Sequence, residues 1–226
     1  MYLINPYAQW PLPAQAMPIE VRVRREADVQ GIRAVMQRAY PPPHGPEAVW
    51  AESTLLAHLE MFPEGQLVAI SGLGELVGSA TSLRTSARMA MTGHTWTGIT
   101  GRGLLSTHDP EGDVLYGVNV VVDPAHQGRG IARKLYDARH DLARRLGCKW
   151  IAAGARIPGY HRLADEMSPE DYVGRVVQGT LFDPTLSKQL KMGFRVWRIL
   201  RDYNPDPETR GHAALILCPV EGHHAL

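Results

Sequence analysis

The chain of 226 residues (25.0 kDa) carries 24 lysines and arginines against 23 aspartates and glutamates, a net charge of +1. This balance excludes a general electrostatic attraction to nucleic acid or to an anionic membrane surface. The length fits one large domain, and no apolar stretch approaches the roughly 20 residues that span a bilayer.

The two ends differ in composition from the middle of the chain. Residues 1–18 are rich in proline and glutamine and predict an arm before a domain at 19–219, with a tail at 220–226. The start lacks the basic segment and apolar core of a secretion signal. Two cysteines, Cys148 and Cys218, fit a reducing compartment better than a disulfide scaffold. We therefore expect a cytoplasmic protein.

The first half of the chain predicts strands and helices in alternation. Proline removes an amide donor, so the three prolines at 41–43 end the first helix. Residues 84–110 lack a regular pattern and are rich in threonine, glycine and methionine, which predicts a functional loop. The predicted elements are a strand at 19–25, helices at 26–40 and 47–61, and a hairpin of strands 66–72 and 75–83.

The central segment 113–155 predicts a strand–helix–strand unit, in which parallel strands are joined by a right-handed crossover. The strand at 113–123 is dense in valine, which predicts burial on both faces. An amphipathic helix at 131–146 follows, with Gly147 as its C-terminal cap, and the next strand spans 149–155. Helices at 169–178 and near 184–191, and strands near 194–202 and 212–219, complete the prediction.

The turn Gln127-Gly128-Arg129-Gly130, between this strand and helix, is the main functional signal. Backbone N–H groups at a helix start lack intrahelical acceptors and carry partial positive charge, which favours phosphate. A Walker loop is absent, and Arg133 occupies the place of the third glycine of a dinucleotide fingerprint. The pattern predicts a backbone cradle for another phosphate-bearing cofactor; the alternative is a tight connection with incidental glycines.

The stretch VVVDPAHQGRGIA (120–132) resembles the Gln/Arg-x-x-Gly-x-Gly/Ala signature of the GNAT superfamily of acyl-CoA N-acyltransferases. The pair Gly193-Phe194 also matches, and 62–66, 94–118 and 183–194 are similar to a subgroup whose GNAT domain precedes a nitrilase-like amidohydrolase. The resemblance implies an α/β fold with a mixed, mostly antiparallel twisted sheet of about seven strands. That sheet is split between the fourth and fifth strands and carries helices on both faces.

The resemblance also implies acetyl-CoA as cosubstrate. We expect no metal, because the ten histidines show no His-Glu-x-x-His motif or other paired spacing of metal ligands. Backbone groups of Val120, Val121 and Val122 would bind the pantetheine arm, and the Val120 N–H would hold the thioester oxygen. The diphosphate would be held by the amides of Gln127, Gly128, Arg129, Gly130, Ile131 and Ala132.

The catalytic positions depart from the family pattern. Tyr116 stands where many members have a strand glutamate, and Gln189 where many have a tyrosine on the last helix. We therefore assign Tyr116 and Tyr160 as candidates for the proton transfers, with a water relay to Asp113 or Glu111 as an alternative. Tyr116 as a packed core aromatic is the other interpretation.

The implied function is transfer of an acetyl group to a primary amine by direct attack in a ternary complex. The acceptor would be a small molecule or a peptide. A non-catalytic acyl-CoA sensor, or a regulatory module for a partner enzyme, is the alternative, because the helix tyrosine is absent. A longer acyl group or a hydroxyl acceptor is a third hypothesis. The sequence leaves open whether the protein is a monomer or a homodimer.

Overall fold

A computed structural model describes residues 18–42 and 48–220. The strands of this part are β1 (Ile19–Val23), β2 (Gln66–Ser71), β3 (Leu76–Thr85), β4 (Val114–Val122), β5 (Trp150–Arg156), β6 (Arg195–Leu200) and β7 (Ala213–Pro219). Its α-helices are α1 (Val29–Ala39), α2 (Glu52–Met61), α3 (Ala87–Met91), α4 (Trp96–Ile99), α5 (Ile131–Arg145), α6 (Pro169–Val177) and α7 (Leu186–Leu190).

Across the described residues the strands form one sheet in the order β1-β2-β3-β4-β5-β7-β6. The β4–β5 pair is parallel, and the remaining neighbours are antiparallel. The predicted mixed, mostly antiparallel sheet is confirmed, and the segment from β4 to β5 is the predicted strand–helix–strand unit.

Helices cover both faces of this sheet. One face packs against α1 and α2 through Val68 and Val121, and against the α3–α4 segment through Leu83 and Tyr116. We term it the α1 face. The opposite face packs against α5, α6 and α7, and we term it the α5 face. Among the described residues no helix is both long and apolar enough to cross a bilayer.

The prediction of an irregular loop at residues 84–110 is wrong in part. Strand β3 continues to Thr85, and the segment then forms the short helices α3 and α4. The Ser86 hydroxyl accepts a hydrogen bond from the Met89 N–H, and the Thr95 hydroxyl accepts one from the Gly98 N–H. These side-chain caps start helices too short to show an apolar period.

Two other boundaries differ from the prediction. Helix α2 begins at Glu52 rather than at Glu47, which lies outside the described residues. A single 3-10 turn, Glu26–Asp28, precedes α1. The predicted arm and tail lie almost wholly outside the described residues, but Val220 is buried and its N–H donates to the Lys149 carbonyl at 3.0 Å. The packed part of the chain therefore extends through Val220.

The burial prediction for β4 is wrong in its valine-rich half. Residues 114–117 are buried, whereas residues 118–120 and Val122 are partly exposed. Strand β5 pairs with β4 only from Val114 to Gly117. Beyond that point the two strands separate, so the valines lose a neighbouring strand on one side.

Candidate functional site

A gap opens in the sheet where β4 and β5 separate. The last pair is Gly117 with Ala153. Beyond it, β4 remains paired with β3, and β5 remains paired with β7. We term the gap between residues 118–122 of β4 and residues 154–156 of β5 the slot.

Backbone polar groups of β4 point into the slot. The Asp123 N–H donates to the Val77 carbonyl of β3 at 2.9 Å. Backbone groups alternate in direction along a strand, so the N–H and C=O of Val120 and Val122 point away from β3 and into the slot. Those of Val121 face β3, and its side chain is buried against α1 and α2. The structure therefore brings Val120 and Val122 to the slot, but not the polar groups of Val121.

A β-bulge marks the point where the strands separate. Thr81 pairs with Asn119, whereas the next residue, Ser82, pairs with Gly117, which leaves Val118 as the extra residue of β4. A bulge bends its strand and increases the local twist. The bulge therefore directs the rest of β4 away from β5.

A buried arginine of α5 holds this bulge. Arg139 is 1% exposed, and its Nη2 donates to the carbonyls of Thr81 (3.1 Å) and Asn119 (3.0 Å). Its Nε donates to the Ser82 hydroxyl at 2.9 Å. A Cβ at Gly117 would lie 2.9 Å from Nη1, so glycine there leaves room for the guanidinium.

The turn after β4 is tied to α1 by an ion pair. The Asp123 carboxylate accepts a hydrogen bond from the Ala125 N–H at 2.9 Å and pairs with Arg38 at 2.6 Å. Burial alone would raise the pKa of Asp123, but the hydrogen bonds from Arg38 and Ala125 hold it below its ordinary value. The Asp123 carboxylate therefore stays ionised, and its bonds to Arg38 and Ala125 hold the start of the turn in place.

The glycines of the turn adopt the backbone conformation that an anion cradle requires. Gly128 and Gly130 have φ of +77° and +75°, and a Cβ at either would meet no described atom within 4 Å. Within residues 18–42 and 48–220, the N–H groups from Gly128 to Ala132 have no hydrogen-bond acceptor. The Gln127 N–H is directed back to the Pro124 carbonyl at 3.4 Å. Three exposed cationic residues belong to the same segment of the chain, namely Arg129, Arg133 and Lys134.

Tyr116 belongs to a buried hydrogen-bonded cluster on the α1 face. Its hydroxyl lies 3.0 Å from the Tyr203 hydroxyl and 2.9 Å from His94 Nε2. His94 Nδ1 lies 2.9 Å from the Thr92 carbonyl. Burial, together with Tyr203, raises the pKa of Tyr116 well above its ordinary value. Burial lowers the pKa of His94, although the Thr92 carbonyl opposes this change.

Tyr203 brings this cluster to the edge of the slot. Gly154 is the first residue of β5 beyond its last pair with β4. A Cβ at Gly154 would collide with Tyr203 Cζ and would lie 2.5 Å from its hydroxyl oxygen. Neither Tyr203 nor His94 was predicted as a site residue from the sequence. A glycine inside a strand often marks close approach by another group, so Gly154 was the available signal for Tyr203.

Tyr160 lies apart from Tyr116. Its hydroxyl donates to the Met167 carbonyl at 3.1 Å, and its ring packs beside Tyr172 and His212 in the cluster that includes α6. The structure therefore does not bring the two predicted catalytic tyrosines together.

The remaining predicted positions have other partners. Gln189 is buried and donates through Nε2 to the Tyr136 hydroxyl at 2.9 Å. Asp113 accepts a hydrogen bond from the Ala87 N–H at 2.8 Å and lies 3.6 Å from Lys149 Nζ, next to the start of β4. Glu111 is exposed two residues earlier.

The sequence of this chain matches the model of one protein family. The model described as the acetyltransferase (GNAT) family matches residues 29–162. The chain belongs to the GNAT family. The match includes β4, the turn, α5 and β5, which together form the slot and the cradle.

Two curated relatives come from Bacillus subtilis (strain 168). The protein named probable hydrolase YhcX is 41% identical over 186 residues, which are 82% of this chain but 35% of YhcX. The chain thus spans about a third of that relative. The uncharacterized N-acetyltransferase YkwB is 31% identical over 198 residues, 88% of this chain and 87% of YkwB.

Solved structures share the GNAT fold with this chain. The GphF GNAT-like decarboxylase in complex with isobutyryl-CoA gives a TM-score of 0.74 at 24% identity, covering 89% of this chain and 100% of that one. The yncA protein of Salmonella typhimurium, with its cofactor acetyl-CoA, gives 0.55 at 18% identity, covering 92% and 96%. At these identities the likeness shows the fold alone.

Proposed function

We propose that this GNAT protein transfers an acetyl group from acetyl-CoA to a primary amine of a small molecule or peptide. The observation that carries the proposal is the row of N–H groups from Gly128 to Ala132, which have no acceptor among the described residues and lie in the turn between the slot-forming strand β4 and α5. Membership of the GNAT family and the N-acetyltransferase name of YkwB support acyl transfer.

In the proposed complex the diphosphate of coenzyme A binds the amides at the start of α5. Fifteen residues of helix place partial positive charge there, and the glycines leave room for close approach. The pantetheine arm would enter the slot, where the Val120 N–H donates to the thioester oxygen. As negative charge develops on that oxygen, one such donor contributes on the order of 3 kcal/mol.

The amine would approach from the α1 face. The cradle lies at the start of α5 on the opposite face, and the Tyr203 hydroxyl reaches Gly154 at the edge of the slot from the α1 face, so we place the second substrate on that side of the slot. The amine nitrogen then attacks the thioester carbon directly, the carbon–sulfur bond breaks, and the coenzyme A thiolate leaves. No covalent enzyme intermediate is required.

Calorimetry of a glutamate substitution in the cradle tests the proposed cofactor site. Gly130→Glu places a carboxylate next to the diphosphate, and we expect acetyl-CoA affinity to fall about 100-fold, or about 2.7 kcal/mol. Gly74→Glu is the matched control, because Gly74 also has positive φ (+81°) and no described atom within 4 Å of a Cβ. Equal affinity of the two variants would contradict the cradle.

A second candidate is decarboxylation of a carboxyacyl-CoA in the same slot. The candidate comes from the name of the GphF GNAT-like decarboxylase, which shares the fold of this chain at a TM-score of 0.74. Mass spectrometry of wild-type protein incubated with acetyl-CoA plus amines, or with malonyl-CoA alone, separates the two activities. Binding of acetyl-CoA with neither product formed would favour the non-catalytic sensor.

A further inference from the structure

We propose that Tyr203, Tyr116 and His94 form a proton relay that carries a proton from the acceptor amine in the slot to His94, the terminal base. This inference rests on the proposed N-acetyl transfer. It adds two residues, Tyr203 and His94, to the single tyrosine that the sequence indicated on β4.

The hydrogen-bond partners fix the direction of the relay. The Thr92 carbonyl can only accept, so His94 Nδ1 carries the hydrogen between them. Nε2 of the neutral ring is then an acceptor, and the Tyr116 hydroxyl donates to it. With its own hydrogen committed, the Tyr116 oxygen accepts from the Tyr203 hydroxyl. Each hydroxyl hydrogen therefore points from the slot toward His94.

This arrangement can pass one proton without leaving a charge on either tyrosine. The Tyr203 oxygen accepts the amine proton, its own hydrogen moves to Tyr116, and the Tyr116 hydrogen moves to His94 Nε2. A bound ammonium loses two protons during acetylation. One ends on the coenzyme A sulfur, and the other ends on His94 as imidazolium, which then releases it to water.

One end of the relay lies at the slot, and the other end lies at a groove that is open to solvent. The Tyr203 hydroxyl lies over Gly154 at the edge of the slot. Half-buried His94 lines an open groove of about 730 Å³ between the α3–α4 segment and the end of β6. Solvent in this groove can remove the proton from the imidazolium.

The charges around the groove permit His94 to become an imidazolium. Four charged groups line it: Glu170 of α6, Arg198 of β6, and Arg201 and Asp202 just after β6. Arg201 pairs with Glu170 at 2.7 Å, and Arg198 and Asp202 have opposite signs. Within the described residues the lining is therefore balanced in charge.

The reaction needs such a base. An amine with a pKa of about 10.4 costs roughly 4.6 kcal/mol to deprotonate at pH 7. Tyr116 cannot act alone, because its burial raises the pKa of its hydroxyl well above the ordinary value. Burial keeps His94 neutral near pH 7, because it lowers the pKa of the ring. His94 is therefore ready to accept a proton.

Substitutions along the relay in the full-length protein test the proposal. His94→Gln keeps an acceptor near the Nε2 position but removes the base, and Tyr116→Phe and Tyr203→Phe each break one link. The matched control is His108→Asn. His108 is also half-buried with a pKa lowered by burial, and asparagine keeps an acceptor for the Arg84 N–H. Rates are measured with acetyl-CoA and a panel of amino acids, polyamines, aminoglycosides and peptides with free N termini.

We expect each relay variant to lower kcat by 10²- to 10⁴-fold while the Kd of acetyl-CoA stays within twofold, and His108→Asn to match wild type. In wild type, protonation of His94 should lower the rate at acidic pH. In His94→Gln this part of the rate–pH profile should disappear, and the remaining pH dependence should reflect the pKa of the acceptor amine. The double variant His94→Gln/Tyr203→Phe should be no slower than either single variant, because a broken relay cannot be broken twice.

Three results would overturn the relay. Full activity of His94→Gln with an unchanged pH profile would refute it while leaving the proposed function intact. If the factors by which the two single substitutions lower kcat multiply in the double variant, His94 and Tyr203 act independently and do not form one relay. Absence of transfer by wild-type protein that binds acetyl-CoA would refute the proposed function and, with it, the relay.

Discussion

Gly154→Ala offers the most direct test of how Tyr203 is placed against the slot. The added Cβ would collide with Tyr203 Cζ and lie 2.5 Å from its hydroxyl oxygen and 2.7 Å from Cε1. Tyr203 is 6% exposed and hydrogen-bonded to Tyr116, so the ring can move only by breaking contacts. We expect overpacking to cost about 2–3 kcal/mol.

An opposing effect reduces this cost. Replacing glycine by alanine restricts the unfolded chain, which stabilises a protein by about 0.4–1 kcal/mol where the backbone permits alanine. The net loss for Gly154→Ala is therefore about 1–2.6 kcal/mol, which corresponds to a fall in Tm of about 2–10 °C for a domain of this size. The displaced hydroxyl should also lower the rate of acetyl transfer.

Differential scanning calorimetry can measure this effect against a matched glycine. Gly174 lies inside α6 with no described atom within 4 Å of a Cβ, so Gly174→Ala should raise Tm. In a Tyr203→Leu background, which removes the ring, Gly154→Ala should lose most of its cost. A Tm unchanged by Gly154→Ala, or an equal loss in that background, would refute the placement of Tyr203.

Two further predictions concern buried cations and bases. His58 Nε2 donates to the Gly103 carbonyl at 2.7 Å, and burial lowers the pKa of His58 to about 4. Folding therefore favours the neutral ring, and stability should fall by about 2 kcal/mol between pH 7.5 and pH 5. Urea unfolding at both pH values should show a smaller fall in His58→Gln, and an equal fall would contradict this origin. Arg139→Met leaves the bulge carbonyls without their donor, so we expect a loss of about 2–4 kcal/mol in urea unfolding and about tenfold weaker acetyl-CoA binding. An unchanged acetyl-CoA affinity would show that the bulge does not depend on the arginine.

Local signals made the central part of the fold predictable. The apolar period of α5, the valine strand before it and the two glycines between them act over a few residues, and each appears in the structure near its predicted position. The mixed, mostly antiparallel sheet split between β4 and β5 followed from the family resemblance rather than from the residues themselves. The conformation of Gly128 and Gly130 was predictable because glycine tolerates positive φ.

Tertiary contacts decided what the sequence could not indicate. Tyr116 and Tyr203 are 87 positions apart, and no periodic pattern links them. Helix α4 forms where the Trp96 N–H donates to the Tyr203 carbonyl at 2.6 Å, a contact that connects the α3–α4 segment to the β6–β7 loop. The partial exposure of the β4 valines follows from the bulge at Val118. It could not be predicted, because the divergence of two strands does not change the hydrophobicity of the sequence.

The divergence of β4 from β5 has a consequence for local protection of the backbone. The amides of Val120 and Val122 have a strand neighbour on one side in the described sheet, so their hydrogens should exchange with solvent deuterium faster than those of residues 114–116. In the proposed complex the pantetheine arm would take the place of the missing neighbour and slow that exchange. The cofactor would then complete the sheet, and its concentration would set the melting temperature of the whole protein.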